Sequence, residues 1–184
     1  MTLVAVILAD GLEEVEAITP IDFMRRAGIQ VVTVGLDKIM IEGSHGITLK
    51  ADIELKDFPE SADAILIPGG MPGSAHIGAN KRVLGLARSF HDQGKLVAAI
   101  CAAPALVLGG AGVLKDKRYT CYPGFEDKAG PFGRYTTERV VRDENIITAC
   151  GVGAAAEFAG MIISFLCGQE IANDVMKATL QIGY

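Results

Sequence analysis

The sequence predicts an α/β domain built around a mostly parallel sheet. Short aliphatic, β-branched runs recur at residues 3–9, 29–36, 64–67 and 96–100, and they lack the polar alternation of a strand with one wet face. Segments with helical character separate them, and regular strand–helix alternation is the pattern of a sheet sandwiched between helices. The chain also carries 22 glycines, as expected where many strand-to-helix turns must lie close against a sheet.

Taken in order, Leu3 to Ala9 reads as a doubly covered strand ended by Asp10-Gly11. Glu13, Glu14 and Glu16 open a helix that closes on Arg25-Arg26, with acids early and bases late as the helix dipole prefers. Pro20 is expected to kink it, and Gly28 to stop it. Ile29 to Leu36 is a second strand. Met40-Ile41-Glu42 and Ile47-Thr48-Leu49 flank Gly43-Ser-His-Gly46 as a small marginal hairpin. Ala64 to Ile67 is another buried strand, running into the loop Pro68-Gly-Gly-Met-Pro-Gly73. Asn80 to Gln93 is an amphipathic helix with Val83, Leu84, Leu86, Ala87 and Phe90 inside. Leu96 to Ile100 is a strand that meets Cys101 and hands over to a helix from about Pro104 to Gly109. Tyr119 to Tyr122 reads as a short strand, and Pro123 to Arg134 as a loop. Residues 139–142 and 145–149 form a hairpin about Asp143-Glu144, and helices over 153–167 and 169–178 finish the chain. No repeat or linker interrupts it, so a single domain over 1–184 is expected.

Composition narrows the functions available. A net charge of −5 argues against nucleic acid or an anionic membrane as partner. Val152 to Cys167 is apolar but short of the roughly 20 residues needed to span a bilayer. It also carries Glu157, so it reads as a buried helix. Cys101, Cys121, Cys150 and Cys167 show no metal-ligand spacing. With no signal-like N-terminus they suggest free thiols in a reducing, cytoplasmic setting.

The chemistry is expected beyond the carboxyl ends of the strands, where three features fall: the Glu13/Glu14/Glu16 cluster, Gly69-Gly70, and Cys101. A thiol on a tight strand-to-helix corner is raised out of the sheet, where N–H groups and the helix dipole favour a thiolate. The alternative is a buried cysteine that ends a core strand. Gly69-Gly70 offers bare N–H groups for an oxyanion, or simply a tight turn. Of the three glutamates, two are expected to be solvated helix-start residues. One turned inward beside the thiol would be costly enough to signal function. His45 and His76 have no partner legible in sequence, and His91 is expected on the solvated side of its helix. Cys150 and Cys167 read as structural.

Ala9-Asp-Gly-Leu-Glu-Glu-Val-Glu16, Met24-Arg-Arg-Ala-Gly28, Ile67-Pro-Gly-Gly70 and Ala98-Ala-Ile-Cys-Ala-Ala-Pro104 together resemble the ThiJ/PfpI superfamily. Within it, the chain is most similar to the parkinsonism-associated deglycase (DJ-one) branch and its bacterial relatives. The resemblance extends to Gly151–Phe158 near the end. It implies a flavodoxin-like three-layer sandwich, a homodimer, no cofactor and no metal. It also implies Cys101 as the reactive cysteine and Glu16 as its inward carboxylic partner. Gly69, Gly70 and the Ala102 amide would be the anion-stabilising donors, with Arg26 near a dimer-side pocket and His45 where some members place arginine. The activity implied is glyoxalase or deglycase chemistry on a small aldehyde or a glycated protein. The alternative is a redox-sensing, stress-responsive chaperone that works by oxidation of Cys101. Three positions depart from the pattern. Ala102 replaces the peptidase branch's histidine, which disfavours proteolysis. Tyr122 stands where human-type members have a histidine, and Cys150-Gly-Val152 stands where many relatives have Arg-Gly-Pro.

Overall fold

A computed structural model describes residues 2–59 and 61–181. In chain order the elements are β1 (Leu3–Leu8), α1 (Glu14–Arg26), β2 (Gln30–Gly35), β3 (Met40–Glu42), β4 (Thr48–Lys50), β5 (Ile53–Glu54) and β6 (Ala64–Ile67). They continue with α2 (Gly73–Ala79), α3 (Lys81–Asp92), β7 (Leu96–Ile100) and a π-helical segment over Pro104–Gly109. The last are β8 (Arg118–Tyr119), β9 (Arg134–Tyr135), β10 (Val140–Asp143), β11 (Ile146–Ala149), α4 (Ala155–Cys167) and α5 (Gln169–Ala178).

Seven strands form one sheet in the order β10-β11-β7-β6-β1-β2-β5. All neighbours in it are parallel except the antiparallel pair β10–β11. The period-two alternation of strand side chains splits the core into two layers. Val4, Val6 and Leu8 of β1 join Leu66, Ala98, Ile100 and Ile147 beneath α1, α4 and α5, which contribute Met24, Phe158, Ile162 and Met176. Ala5 and Ile7 face the other way with Ile65, Ile67, Val97 and Ala99, against Ile77 of α2 and Val83, Leu86 and Phe90 of α3. Each large aliphatic side chain buried this way contributes about 2 kcal/mol. The result is the expected flavodoxin-like α/β sandwich. Helix α4 is buried on its inner side, and among the described residues no helix is long and apolar enough to cross a membrane.

Several elements differ from the sequence reading, each for a local reason. Helix α2 is not legible in the sequence because Gly73-Ser-Ala-His-Ile-Gly-Ala79 has a turn-like composition. Gly78 is required there, since a Cβ on it would lie 2.8 Å from the Leu106 carbonyl oxygen of the neighbouring π-helical segment. Strand β8 stops at Tyr119, short of the expected Tyr122, because the next amides leave the ladder. Thr120 N–H donates to Thr148 Oγ1 (2.9 Å) and Tyr122 N–H to the Cys101 carbonyl (2.8 Å). Pro20 is accommodated within α1, which runs on to Arg26. His91 is not a free surface residue: its Nδ1 lies 3.0 Å from Asn145 Oδ1, so it ties α3 to the start of β11. Asn145 completes that tie through the carbonyls of His91 and Lys95.

Strands β7, β6 and β1 are neighbours in the sheet. The three carboxyl ends that carry Cys101, Gly69-Gly70 and the glutamates therefore come out side by side.

Candidate active site

Cys101 follows β7 with φ = 66°, one of the few positive-φ residues other than glycine among those described. A non-glycine residue held there is strained, typically by about 1–3 kcal/mol. The strain is maintained by fixed partners: Cys101 N–H donates to the Ala149 carbonyl (2.9 Å) while its own carbonyl accepts from Tyr122. The corner turns the half-buried thiol toward α1, into hydrogen-bonding contact with Glu16, and the backbone N–H groups of Gly70 and Ala102 face the sulfur.

Glu16 is 1% exposed. One carboxyl oxygen, Oε2, accepts from Gly69 N–H at 3.0 Å. The approach is close enough to demand glycine: a Cβ on Gly69 would sit 2.3 Å from Glu16 Oε2 and 2.4 Å from Cys101 Cβ. Gly70 has φ = 91°, and a Cβ on it would lie 2.2 Å from Glu13 N. Gly69→Ala is therefore expected to push the carboxyl and the elbow apart and cost about 3 kcal/mol, read as a lower denaturant midpoint at unchanged slope. A midpoint equal to wild type would show that the two strands can separate freely here. The Gly69 N–H is committed to Glu16, which leaves Gly70 and Ala102 as the donors at the sulfur. The trio expected from sequence is thus divided between the two acids.

Electrostatics also depart from the thiolate expected at a helix start. Burial pushes the Cys101 thiol up to about 12, reinforced by the negative charge of Glu16, and the N–H groups of Gly70 and Ala102 only partly oppose it. Burial likewise raises the Glu16 carboxyl to about 7, against the hydrogen bond with Cys101, while the charge of Glu13 adds to the rise. The two acids titrate as a pair. The pair loses its first proton near neutrality and its second only in strong alkali. A local dipole cannot outweigh removal of the sulfur from water, so any activation of the thiol depends on Glu16.

The second inward glutamate is a correction to the sequence reading. Glu14, expected in solvent, is 3% exposed. Its carboxylate organises the β3–β4 loop by accepting from His45 N–H (2.8 Å), Ile47 N–H (3.3 Å) and the His45 ring (Nδ1, 3.0 Å). Burial alone would raise its pKa, but these hydrogen bonds outweigh burial and hold it down at about 2. His45 is raised in turn by its bond to Glu14 and by the charges of Glu13 and Glu14. It therefore turns to Glu14 rather than to Cys101, which corrects its candidacy at the thiol. Glu13, Glu14 and His45 bring ligand-type atoms within 4.8 Å of one another, a set that His45, once protonated, satisfies as a counter-ion. Because the Glu14 carboxyl is depressed when folded, its stabilising effect is complete above pH 4.5 and is lost as pH falls toward 2. Hydrogen exchange at the His45 and Ile47 amides is expected to accelerate over that interval ahead of the sheet. Exchange that stays parallel to the sheet would refute this anchoring.

Arg26 is also placed away from the thiol. It ends α1 ten residues after Glu16, about 15 Å along the axis at 1.5 Å per residue, and pairs with Asp22 at 2.7 Å. It borders a groove against α5. Among the other cysteines, Cys121 is fully buried, while Cys150 and Cys167 are half-buried and free. Sequence reasoning overlooked Phe125, which closes the cavity over Cys101. Its only signal was an aromatic residue three positions after Tyr122.

A sequence model described as the DJ-1/PfpI family matches residues 2–164. The chain belongs to the DJ-1/PfpI family. It is 38% identical over 180 residues to the Parkinson disease protein 7 homolog of Danio rerio, covering 95% of this chain and 94% of that one. It is 34% identical over 170 residues to a Caenorhabditis elegans protein named glutathione-independent glyoxalase DJR-1.2, covering 91% and 90% respectively. Two Arabidopsis thaliana DJ-1 homologs are longer, and the chain spans 39% and 45% of their lengths. Among solved structures, oxidized Toxoplasma gondii DJ-1 superposes with a TM-score of 0.94 at 36% identity over the whole of both chains. This DJ-1/PfpI family chain thus shares fold and sequence with its relatives over nearly its full length.

Proposed function

We propose that this chain is a glutathione-independent glyoxalase of the deglycase type, with Cys101 as nucleophile and Glu16 as its acid–base partner. One observation carries the reading. A strained cysteine has a buried carboxyl with a pKa of about 7 on one side and two backbone donors on the other. A carboxyl poised near the working pH is suited to taking and returning a proton.

In this reading Glu16 takes the Cys101 proton as the sulfur attacks the aldehyde carbon of a 2-oxoaldehyde such as methylglyoxal. The new C–S bond converts the carbonyl to an oxyanion, which the Gly70 and Ala102 N–H groups stabilise until it is protonated to a hemithioacetal. Transfer of the former aldehyde hydrogen, as a proton, from C1 to C2 reduces the ketone and oxidises C1 to a thioester. Water then cleaves the C–S bond, releasing the 2-hydroxy acid and restoring the thiol. Overall, one aldehyde and one water give one hydroxy acid, with no external electron acceptor. Early hemithioacetal and hemiaminal adducts on protein side chains release the same aldehyde, which extends the chemistry to deglycation. Val15 and Ile18 on one face of α1, with Ile47 of the β3–β4 loop, leave large apolar side chains exposed. They support a homodimer.

Incubating the protein with methylglyoxal in buffer free of thiols is expected to yield lactate in step with loss of the aldehyde. Aldehyde loss without lactate would mean simple adduct formation and would sink the enzyme reading. A second reading, redox sensing, is favoured by the same two N–H groups at the sulfur, which would hold a sulfinate oxygen equally well. It predicts that mild peroxide oxidises Cys101 ahead of the buried Cys121, as read by mass spectrometry.

A further inference from the structure

The thiol opens into a cavity of about 150 Å³ lined by Gly70, Met71, Cys101, Ala102, Tyr122 and Phe125. That is roughly five times the volume a water molecule occupies and below the range of pockets for drug-sized ligands. None of the six lining residues is charged. Two of its walls are aromatic: the Tyr122 and Phe125 rings meet edge-to-face, with centroids 6.2 Å apart and planes at 86°. Such a pair is a rigid surface, and here it is fixed from behind at several points. Tyr122 N–H donates to the carbonyl of Cys101 itself (2.8 Å), and Phe125 N–H donates to the Tyr122 carbonyl (3.0 Å). The Lys128 ammonium lies 4.3 Å from the Phe125 ring centroid. The Tyr122 ring also packs beside Gly151, where a Cβ would stand at ordinary contact distance, 3.4 Å, from its Cδ2. The ring nevertheless remains half exposed, as does Met71.

The Tyr122 ring is attached to the nucleophile's own backbone and half exposed at the cavity mouth, which leaves part of its surface for a ligand. We infer that Tyr122 and Phe125 are specificity determinants that accept an uncharged, flat, apolar substituent on the substrate's ketone carbon. The site would thereby prefer aryl 2-oxoaldehydes to methylglyoxal and disfavour carboxylate-bearing ones. The inference rests on the aldehyde reading above and deepens it. Offset or edge-on contact with the ring pair strengthens binding of an aryl group. A carboxylate in the same place would lose water and meet no countercharge among the lining residues.

The test compares kcat/KM for phenylglyoxal, methylglyoxal and 4,5-dioxopentanoate, a 2-oxoaldehyde that carries a carboxylate on its ketone substituent, in wild type, Tyr122→Phe and Tyr122→Ala. Phenylglyoxal is expected to exceed methylglyoxal by about tenfold in wild type, as one apolar contact discriminates, with 4,5-dioxopentanoate lowest. Tyr122→Phe is expected to keep that ratio and Tyr122→Ala to lose most of it. The phenyl-to-methyl ratio staying unchanged in Tyr122→Ala, or falling equally in Tyr122→Phe, would overturn the inference. Labelling of Cys101 by benzyl and methyl methanethiosulfonate separates it from the parent reading. Faster benzyl labelling that depends on the Tyr122 ring, in a protein that converts no aldehyde, would keep the aromatic wall and overturn the glyoxalase proposal.

Discussion

Cys101→Ser is expected to abolish conversion of methylglyoxal to lactate, by about 10⁴-fold or more in kcat, while leaving the fold intact. The magnitude follows from what the sulfur does in the proposed cycle: no other group near Glu16 can form and then release the covalent intermediate. A serine hydroxyl has nearly the same shape and can keep its hydrogen bond with Glu16. It is a far weaker acid and a weaker nucleophile than a thiol, and the oxygen ester it would form is less readily cleaved by water than a thioester. The fold is expected to survive because the strain at φ = 66° is held by backbone bonds to Ala149 and Tyr122, which do not involve the side chain. Circular dichroism and the unfolding midpoint should therefore match wild type while product formation ceases. Lactate formed at more than about one hundredth of the wild-type rate would remove Cys101 from the mechanism.

Glu16→Gln is expected to have opposite effects on activity and stability. The amide fills the same space and its oxygen can still accept from Gly69 N–H, but it cannot take the thiol proton. Activity should fall by about 10²- to 10³-fold. Stability should rise, and by an amount that depends on pH. The Glu16 carboxyl has a pKa of about 7 in the folded chain against an ordinary 4.5, so between those values the native state holds a proton that the unfolded chain has released. The contribution of that proton to stability is complete below pH 4.5 and is lost as pH rises through 7. At about 1.4 kcal/mol per pKa unit, ionising the buried carboxyl costs the folded state about 3 kcal/mol above pH 7. Glutamine never ionises and avoids that cost. The variant is expected to be more stable than wild type by about that amount at pH 8, and indistinguishable from it at pH 4. Denaturant midpoints at the two pH values give the result. An equal effect at both would mean that something other than burial of charge decides the stability of this site.

The sequence by itself determined the sheet's inner strands, the amphipathic helix beginning at Asn80, the C-terminal helices and the β10–β11 hairpin. These are set by local periodicity, which short stretches of chain carry without reference to the rest. It also singled out Cys101, Gly69 and Gly70, because a thiol and a glycine pair each follow a buried strand, whereas the choice of Glu16 among three glutamates came only from the family resemblance. What it could not reach was the order of the strands. Only the arrangement β7-β6-β1 makes three separate loop starts into one site. Helix α2 escaped notice because Gly78 answers to a neighbouring backbone rather than to its own helix: the Leu106 carbonyl forbids a side chain there. The same holds for the charges. By type, Glu13, Glu14 and Glu16 are alike, and α1 places all three in its first turn or at its cap. Tertiary packing alone decides that Glu14 meets the amides of the β3–β4 loop and falls to about 2, while Glu16 meets a buried thiol and rises to about 7. A residue's identity fixes which proton it can lose, but desolvation and the donors around it fix when, and those come from parts of the chain that only folding brings together.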